Sequence, residues 1–161
     1  MPNIRLATEA DFPFIWAIFR QVIAGGDTYV YGADTTRAQA RRLWTAPPAT
    51  AFVAELNGRV VGTYSLRPNQ PGLGDHVANC GYMTDPQARG QGIATAMCEH
   101  SLASARELGF TAMQFNFVVA SNAPAVRLWE KHGFSIVGRV PGAFRHRTGG
   151  LTDALIMHRT L

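Results

Sequence analysis

The chain has 161 residues, 47% of them hydrophobic, and carries 15 Lys and Arg against 11 Asp and Glu for a net charge of +4. That length buries a sizeable core and is too short for two ordinary domains, so residues 1–161 are expected to form one. No apolar run approaches the roughly 18 residues of a membrane span, Cys80 and Cys98 are too few for a disulfide framework and lack metal-ligand spacing, and the basic residues are too scattered to suggest nucleic acid.

The N-terminal Met1-Pro2-Asn3-Ile4-Arg5 lacks the apolar core of an export signal, and the expectation is a cytoplasmic protein. A strand is predicted over Asn3 to Ala7, then a helix over Asp11 to Ala24, with Thr8 and Asp11 in capping-box spacing. The loop Gly25 to Gly32 carries Tyr29 and Tyr31. A short helix near Thr36 to Trp44 follows, docking Leu43 and Trp44 on the core and leaving Arg41 and Arg42 solvated. Strands over Ala51 to Leu56 and Arg59 to Leu66 are joined by Asn57-Gly58, the strongest hairpin signal in the chain. After the Pro and Gly cluster at Pro68 to Gly74 come a strand over His76 to Thr84, a glycine turn and a helix running to Leu108. A strand over Ala112 to Val118, a helix over Ala123 to His132, and strands over Ser135 to Val140 and Asp153 to Arg159 complete an α/β order. The stretch between the last two strands, Pro141 to Leu151, is expected to be a long connecting loop.

The glycine turn reads Gln87-Ala88-Arg89-Gly90-Gln91-Gly92-Ile93-Ala94. Two glycines ahead of a helix start aim free backbone N–H groups at one spot, and the helix dipole adds positive potential there. The unit is strand, anion-binding turn, helix. A dinucleotide fingerprint would need Gly or Ala where Thr95 stands and an acidic residue about twenty positions on, where the chain has Gly109, Phe110 and Thr111. A nucleotide P-loop would need Lys and then Ser or Thr after Gly92, which is followed by Ile93 and Ala94.

What remains is Gln-x-x-Gly-x-Gly, met by Gln87, Gly90 and Gly92. A second pattern follows about thirty residues later in Asn122-Ala123-Pro124-Ala125-Val126-Arg127-Leu128-Trp129-Glu130-Lys131-His132-Gly133-Phe134, with a helix cap, a first-turn Pro and a Gly stop. In these two stretches the chain resembles the GNAT acetyltransferase superfamily, matching its Asn-x-x-Ala-x-x-Leu-Tyr-x-x-x-Gly-Phe signature at Asn122, Ala125, Leu128, Gly133 and Phe134. Trp129 stands where Tyr is usual. The resemblance implies an α/β fold with a mixed central sheet, antiparallel strands at the N-terminal side, a parallel pair that splays apart in the middle, and helices on both faces. It implies acetyl-coenzyme A as cosubstrate, with no metal, and a small amine as acceptor; a homodimer is common among relatives. The pantetheine arm would lie along the backbone of Tyr82, Met83 and Thr84. The pyrophosphate would sit on Gln87, Arg89, Gly90, Gln91, Gly92, Ile93 and Ala94, with Asn122 completing the cofactor set.

Asn79, Asn116 and Tyr82 are the candidates nearest the reacting atoms. Asn79 and Asn116 interrupt otherwise apolar strands, so each either is hydrogen-bonded within the protein or faces a ligand. Asn79-Cys80-Gly81-Tyr82, taken with Gln114 to Val119 and Asn122, resembles the branch containing fungal proline-analogue (azetidine-2-carboxylate) N-acetyltransferases, and that resemblance implies asparagines touching an amino-acid acceptor. No Asp or Glu follows Asp75 on the first splayed strand, and the Trp129 indole donates a hydrogen bond without protonating. Two readings follow: an enzyme that works mainly by positioning a neutral amine, or an acyl-coenzyme A-binding domain that senses rather than catalyses. Cys80 is either a buried thiol or a nucleophile without an adjacent base. The loop at Tyr29 to Tyr31 and the stretch Pro141 to Leu151 would line the acceptor pocket, with Arg145, His146 and Arg147 as a basic rim or as solvated charges.

Overall fold

The computed structural model describes all 161 residues. Seven strands form one sheet in the order β1-β2-β3-β4-β5-β7-β6, where β1 is Asn3–Leu6, β2 Thr50–Leu56, β3 Arg59–Pro68, β4 Val77–Thr84, β5 Ala112–Val119, β6 Ser135–His146 and β7 Gly150–Thr160. Every neighbouring pair is antiparallel except β4 with β5. The helices α1 (Phe12–Gly25) and α2 (Arg37–Trp44) cover one face, and α3 (Ile93–Glu107) and α4 (Ala123–Lys131) the other. No helix is long and apolar enough to cross a membrane.

Local chemistry sets the boundaries. Thr36 caps α2 by accepting from the Gln39 N–H, while Gln39 reaches back to the Thr36 N–H. The capping box at Thr8 and Asp11 also forms, around a single 3-10 turn that leads into α1, and Asp11 there receives both guanidinium nitrogens of Arg5 at 2.8 Å. Arg5 and the hydrogen bonds from Thr8 hold the Asp11 carboxyl well below the usual carboxylate range.

Alternation along β4 divides the two cores. Ala78, Cys80 and Tyr82 pack toward α3 with Phe115, Trp129 and Phe134, while Met83 packs toward α1 with Phe12, Phe19 and Trp44. Fully burying side chains of this size contributes roughly 1.5–3 kcal/mol each, so β4 is clamped from both sides and its end is a fixed point.

The structure corrects the expectation for Pro141 to Leu151. These residues are not a loop but the body of a long β6–β7 hairpin that turns only at Arg147 to Gly149. The pairing slips twice, between Ile136 and Gly138 and between Val140 and Phe144. The second slip accommodates Pro141, which has no N–H to offer a ladder, and Gly142, whose φ is +56°. The Gly142 N–H donates to Asp153 Oδ1 at 2.9 Å. A strand interrupted by Pro and Gly loses the period-two pattern that would identify it.

Candidate active site

Parallel pairing between β4 and β5 lasts for two residues only, Val77 opposite Ala112 and Ala78 opposite Met113. At the vertex the Asn79 amide Nδ2 donates to the Gln114 carbonyl at 3.0 Å, taking the place of the next ladder bond. Beyond it the strands part, and a cleft of about 860 Å³ opens between them. The expected slot is therefore present, with Asn79 at its apex.

One end of the cleft is built from backbone. Gly90 and Gly92 have φ of +78° and +76°, the left-handed region that favours glycine, and Gly92 is the N-cap of α3. A Cβ built on either glycine meets nothing within 4 Å, so the space above them is open to a ligand. The N–H groups of Gly92, Ile93, Ala94 and Thr95 have no partner in the chain. The 3-10 turn Pro86 to Ala88 ahead of them is fixed by Asp85, which accepts from the Gln87 N–H at 2.9 Å. Orphan donors, a helix N-terminus and Arg89 together form a cradle whose chemistry suits a diphosphate. Gln87 and Gln91, also expected on the cofactor, are exposed and do not line the cleft. Asn122 caps α4 by accepting from the Ala125 N–H at 3.4 Å and lines the same cleft.

The other end is built from side chains. Tyr29, on the loop between α1 and α2, donates its hydroxyl to the Tyr82 carbonyl at 2.9 Å. Its ring stacks on Tyr31 at 5.8 Å and meets Trp44 edge-on at 6.0 Å. This closure needs Gly81, since a Cβ there would lie 3.0 Å from the Tyr29 hydroxyl and 3.2 Å from Trp44. Arg67 and Ser65, from the end of β3, complete this wall. Sequence reasoning missed Arg67, which no motif marks; its placement opposite Asn79 follows only from the β3–β4 register.

Of the three residues expected near the reacting atoms, Asn79 sits at the vertex. Asn116 is exposed, not buried: β5 bulges between Phe115 and Val118, turning Asn116 outward, where it donates to Asn69 Oδ1 at 2.7 Å and accepts from Gln114 Nε2 at 3.0 Å. It still lines the cleft mouth. Tyr82 offers its backbone there, while its phenol points into the core. Ser101 donates to the Cys98 carbonyl at 2.8 Å, so Tyr82 is the donor in its 2.7 Å bond to Ser101 Oγ. Burial pushes that phenol far above its ordinary range, and likewise the Cys80 thiol, which stays protonated and unreactive. Trp129 is 9% exposed and packs on Tyr82 at 4.8 Å and Phe115 at 4.9 Å, a core role on the cleft floor. Arg145, His146 and Arg147 lie outside the cleft. Arg147 instead ties the hairpin tip to α1, its backbone N–H donating to the Gly26 carbonyl at 3.0 Å and its side chain to Ala24.

The acetyltransferase (GNAT) family model matches residues 15–134, which span the splayed strands, the glycine turn and α4. The chain belongs to this family. Acetyl-coenzyme A is the acyl donor of the family, and the cradle at Gly90 and Gly92 fits its diphosphate. Among solved structures, a GCN5-related N-acetyltransferase from Kribbella flavida superposes with a TM-score of 0.95 at 41% identity, covering 99% of this chain and 98% of that one. The L-amino acid N-acetyltransferase AaaT of Escherichia coli is 29% identical over 97% of this chain and 96% of its own length. The N-acetyltransferase aca1 of Schizosaccharomyces pombe is 31% identical over 70% of this chain, a match that spans 55% of that protein. No group of three or more His, Cys, Asp or Glu residues is placed to hold a metal ion.

Proposed function

We propose that the chain transfers the acetyl group of acetyl-coenzyme A directly to the amine of a free amino acid or close analogue. The observation that carries this is the two-ended cleft: a backbone cradle for a diphosphate at α3, and a small polar and aromatic pocket at the β4–β5 vertex. The activity of the Escherichia coli relative, an L-amino acid N-acetyltransferase matched over 96% of its length, supports the same acceptor class.

In this reading the amine nitrogen attacks the thioester carbonyl, the N–C bond forms, and the C–S bond breaks. The proton shed by nitrogen is matched by the one the leaving thiolate takes up. Asp27, on the loop between α1 and α2, is the only carboxylate lining the cleft, and β4 and β5 bring none to the vertex. The tyrosines and the thiol that line the pocket are all held protonated by burial. The amine therefore arrives neutral from solution, and holding it against the thioester supplies most of the acceleration, on the order of 7–11 kcal/mol for well-oriented partners. Asn79 and Asn116 orient the acceptor at the vertex and mouth, while Tyr82, Met83 and Thr84 present backbone to the pantetheine arm. In this reading the enzyme is a cytoplasmic one whose partners are two small molecules, acetyl-coenzyme A and the acceptor amine, rather than nucleic acid or membrane.

Thiol release from acetyl-coenzyme A, measured across a panel of free amino acids and simple amines, tests the proposal. Turnover with amino acids is the expected result. Tight acetyl-coenzyme A binding with no acceptor-dependent thiol release would replace the enzyme with an acyl-coenzyme A sensor.

A further inference from the structure

The cleft contains two cations, and the acyl donor explains only one of them. Arg89 stands beside the glycine turn. Arg67 stands at the opposite end, paired across the β3–β4 ladder with Asn79. From Asn79 to Thr84, where β4 ends ahead of the turn, is five residues of extended chain, or roughly 17 Å at about 3.3 Å each. A diphosphate on the cradle therefore leaves Arg67 untouched.

Arg67 is held by neutral acceptors alone. Its Nη2 donates to the Leu43 carbonyl and, at 2.9 Å, to Ser65 Oγ, whose own proton goes to the Trp44 carbonyl at 2.7 Å. Both protons of Nη2 are thereby used, which fixes the plane of the guanidinium against the end of α2. The remaining donors, two on Nη1 and one on Nε, have no partner in the chain, and no carboxylate lies within 4.0 Å. A charge half-withdrawn from water without a counter-ion costs free energy that an incoming anion returns. Here the free donors sit in a cleft wall that also carries Tyr29 and Tyr31, where low dielectric strengthens the attraction.

Building on the N-acetyltransferase reading, we propose that Arg67 is the acceptor anchor: its free guanidinium edge receives the substrate carboxylate, so that the enzyme selects amines bearing one. A planar fork with a fixed orientation matches a carboxylate in two parallel hydrogen bonds. Such an anchor at the vertex directs the α-nitrogen away from β3 and along the cleft toward the acyl donor. Arg67 acts by positioning and takes no part in bond making.

The test uses L-methionine, L-phenylalanine and L-proline, each beside its carboxamide, with wild type, Arg67→Gln and Arg67→Lys. With every kcat/KM in this test counted per neutral amine, wild type is expected to prefer the acids over the amides by at least about 100-fold, because the amide brings no charge and only one acceptor oxygen to a fork built for two. Arg67→Gln should erase that preference by lowering the acid values about 100-fold while amide turnover and the acetyl-coenzyme A dissociation constant stay within threefold. Arg67→Lys, with charge but no fork, should fall between. Equal loss on acids and amides in Arg67→Gln would reduce Arg67 to a tie between α2 and β3. Equal use of acid and amide by the wild type would rule out the anchor without any variant, so a poorly folded Arg67→Gln does not shield the proposal. If no acceptor supports thiol release, the transferase reading fails separately. Calorimetric titration of the acetyl-coenzyme A-loaded protein with the same acid and amide pairs then decides Arg67 alone.

Discussion

At its α3 end the cleft presents free backbone N–H groups, those of Gly92 to Thr95, all from one short stretch. At its β3 end it meets a ligand with side chains drawn from the α1–α2 loop, β3 and β4, residues as far apart as Tyr29 and Asn79. Backbone donors cannot be varied one at a time, since they stand or fall with the φ angles of Gly90 and Gly92. Side-chain donors can be. The first end suits a cosubstrate that never changes, and the second suits an acceptor that differs between relatives.

The largest expected effect lies at the backbone end. Gly90→Glu should abolish detectable acetyl-coenzyme A binding by calorimetry, because a carboxylate would occupy the open space above the turn. The cost to the fold should be only the roughly 1–2 kcal/mol of placing a side chain at positive φ. Gly90→Ala shares that strain without the charge, and the difference between the two variants isolates the anion effect. Unchanged affinity in a folded Gly90→Glu would remove the cradle from the site.

At the side-chain end the response should be graded. Asn79→Ala leaves the Gln114 carbonyl without its donor and the acceptor without a partner at the vertex. A loss of about 1–3 kcal/mol in transition-state terms is expected, or roughly 5- to 150-fold in acceptor kcat/KM, with the acetyl-coenzyme A dissociation constant little changed. Steady-state kinetics with the best amino acid gives the answer, and an equal loss in both parameters would merge the two ends into one.

A smaller effect concerns pH. The pocket tyrosines and Cys80 are all pushed upward by burial, so they stay protonated through the neutral range and contribute no titration there. The acceptor amine must itself lose a proton, and kcat/KM should rise about tenfold per pH unit up to the pKa of that amine. Acceptors with different amine pKa values should shift the profile by the same amount. A profile fixed at one pH for every acceptor would reveal a titrating group in the protein.

Trp129→Phe should change least. The indole packs on Tyr82, Phe115 and Phe134, and its loss should lower the melting temperature while turnover stays within about threefold. A drop of about 100-fold at normal stability would instead mark the indole N–H as part of the reaction.

The contrast between the ends also explains what could be read in advance. The cradle was legible because its requirements are local: two glycines, a helix start and a cap at Asn122, all within short stretches. The mixed sheet and its splayed parallel pair came with the resemblance those stretches carry. Arg67 was hidden because its place depends on which residue of β3 faces which residue of β4, a register no short motif encodes. The Tyr29 to Tyr31 loop was expected at the pocket, but the bond from Tyr29 to the Tyr82 carbonyl is a long-range contact that no local pattern marks. Asn116 was expected in a buried strand, and the β5 bulge turned it out. Pro141 and Gly142 concealed a hairpin in the same way, by breaking the alternation that marks a strand.

The tip of that hairpin reaches back to α1, where Arg147 hydrogen-bonds Gly26 and Ala24. Three residues further along the chain stands Tyr29, whose hydroxyl closes the acceptor pocket. The last two strands therefore act as a brace on a loop that belongs to the first quarter of the sequence. Lengthening or shortening the hairpin would re-aim Tyr29 without altering any residue that a substrate touches, and so gives this fold a way to change its choice of acceptor from outside the cleft.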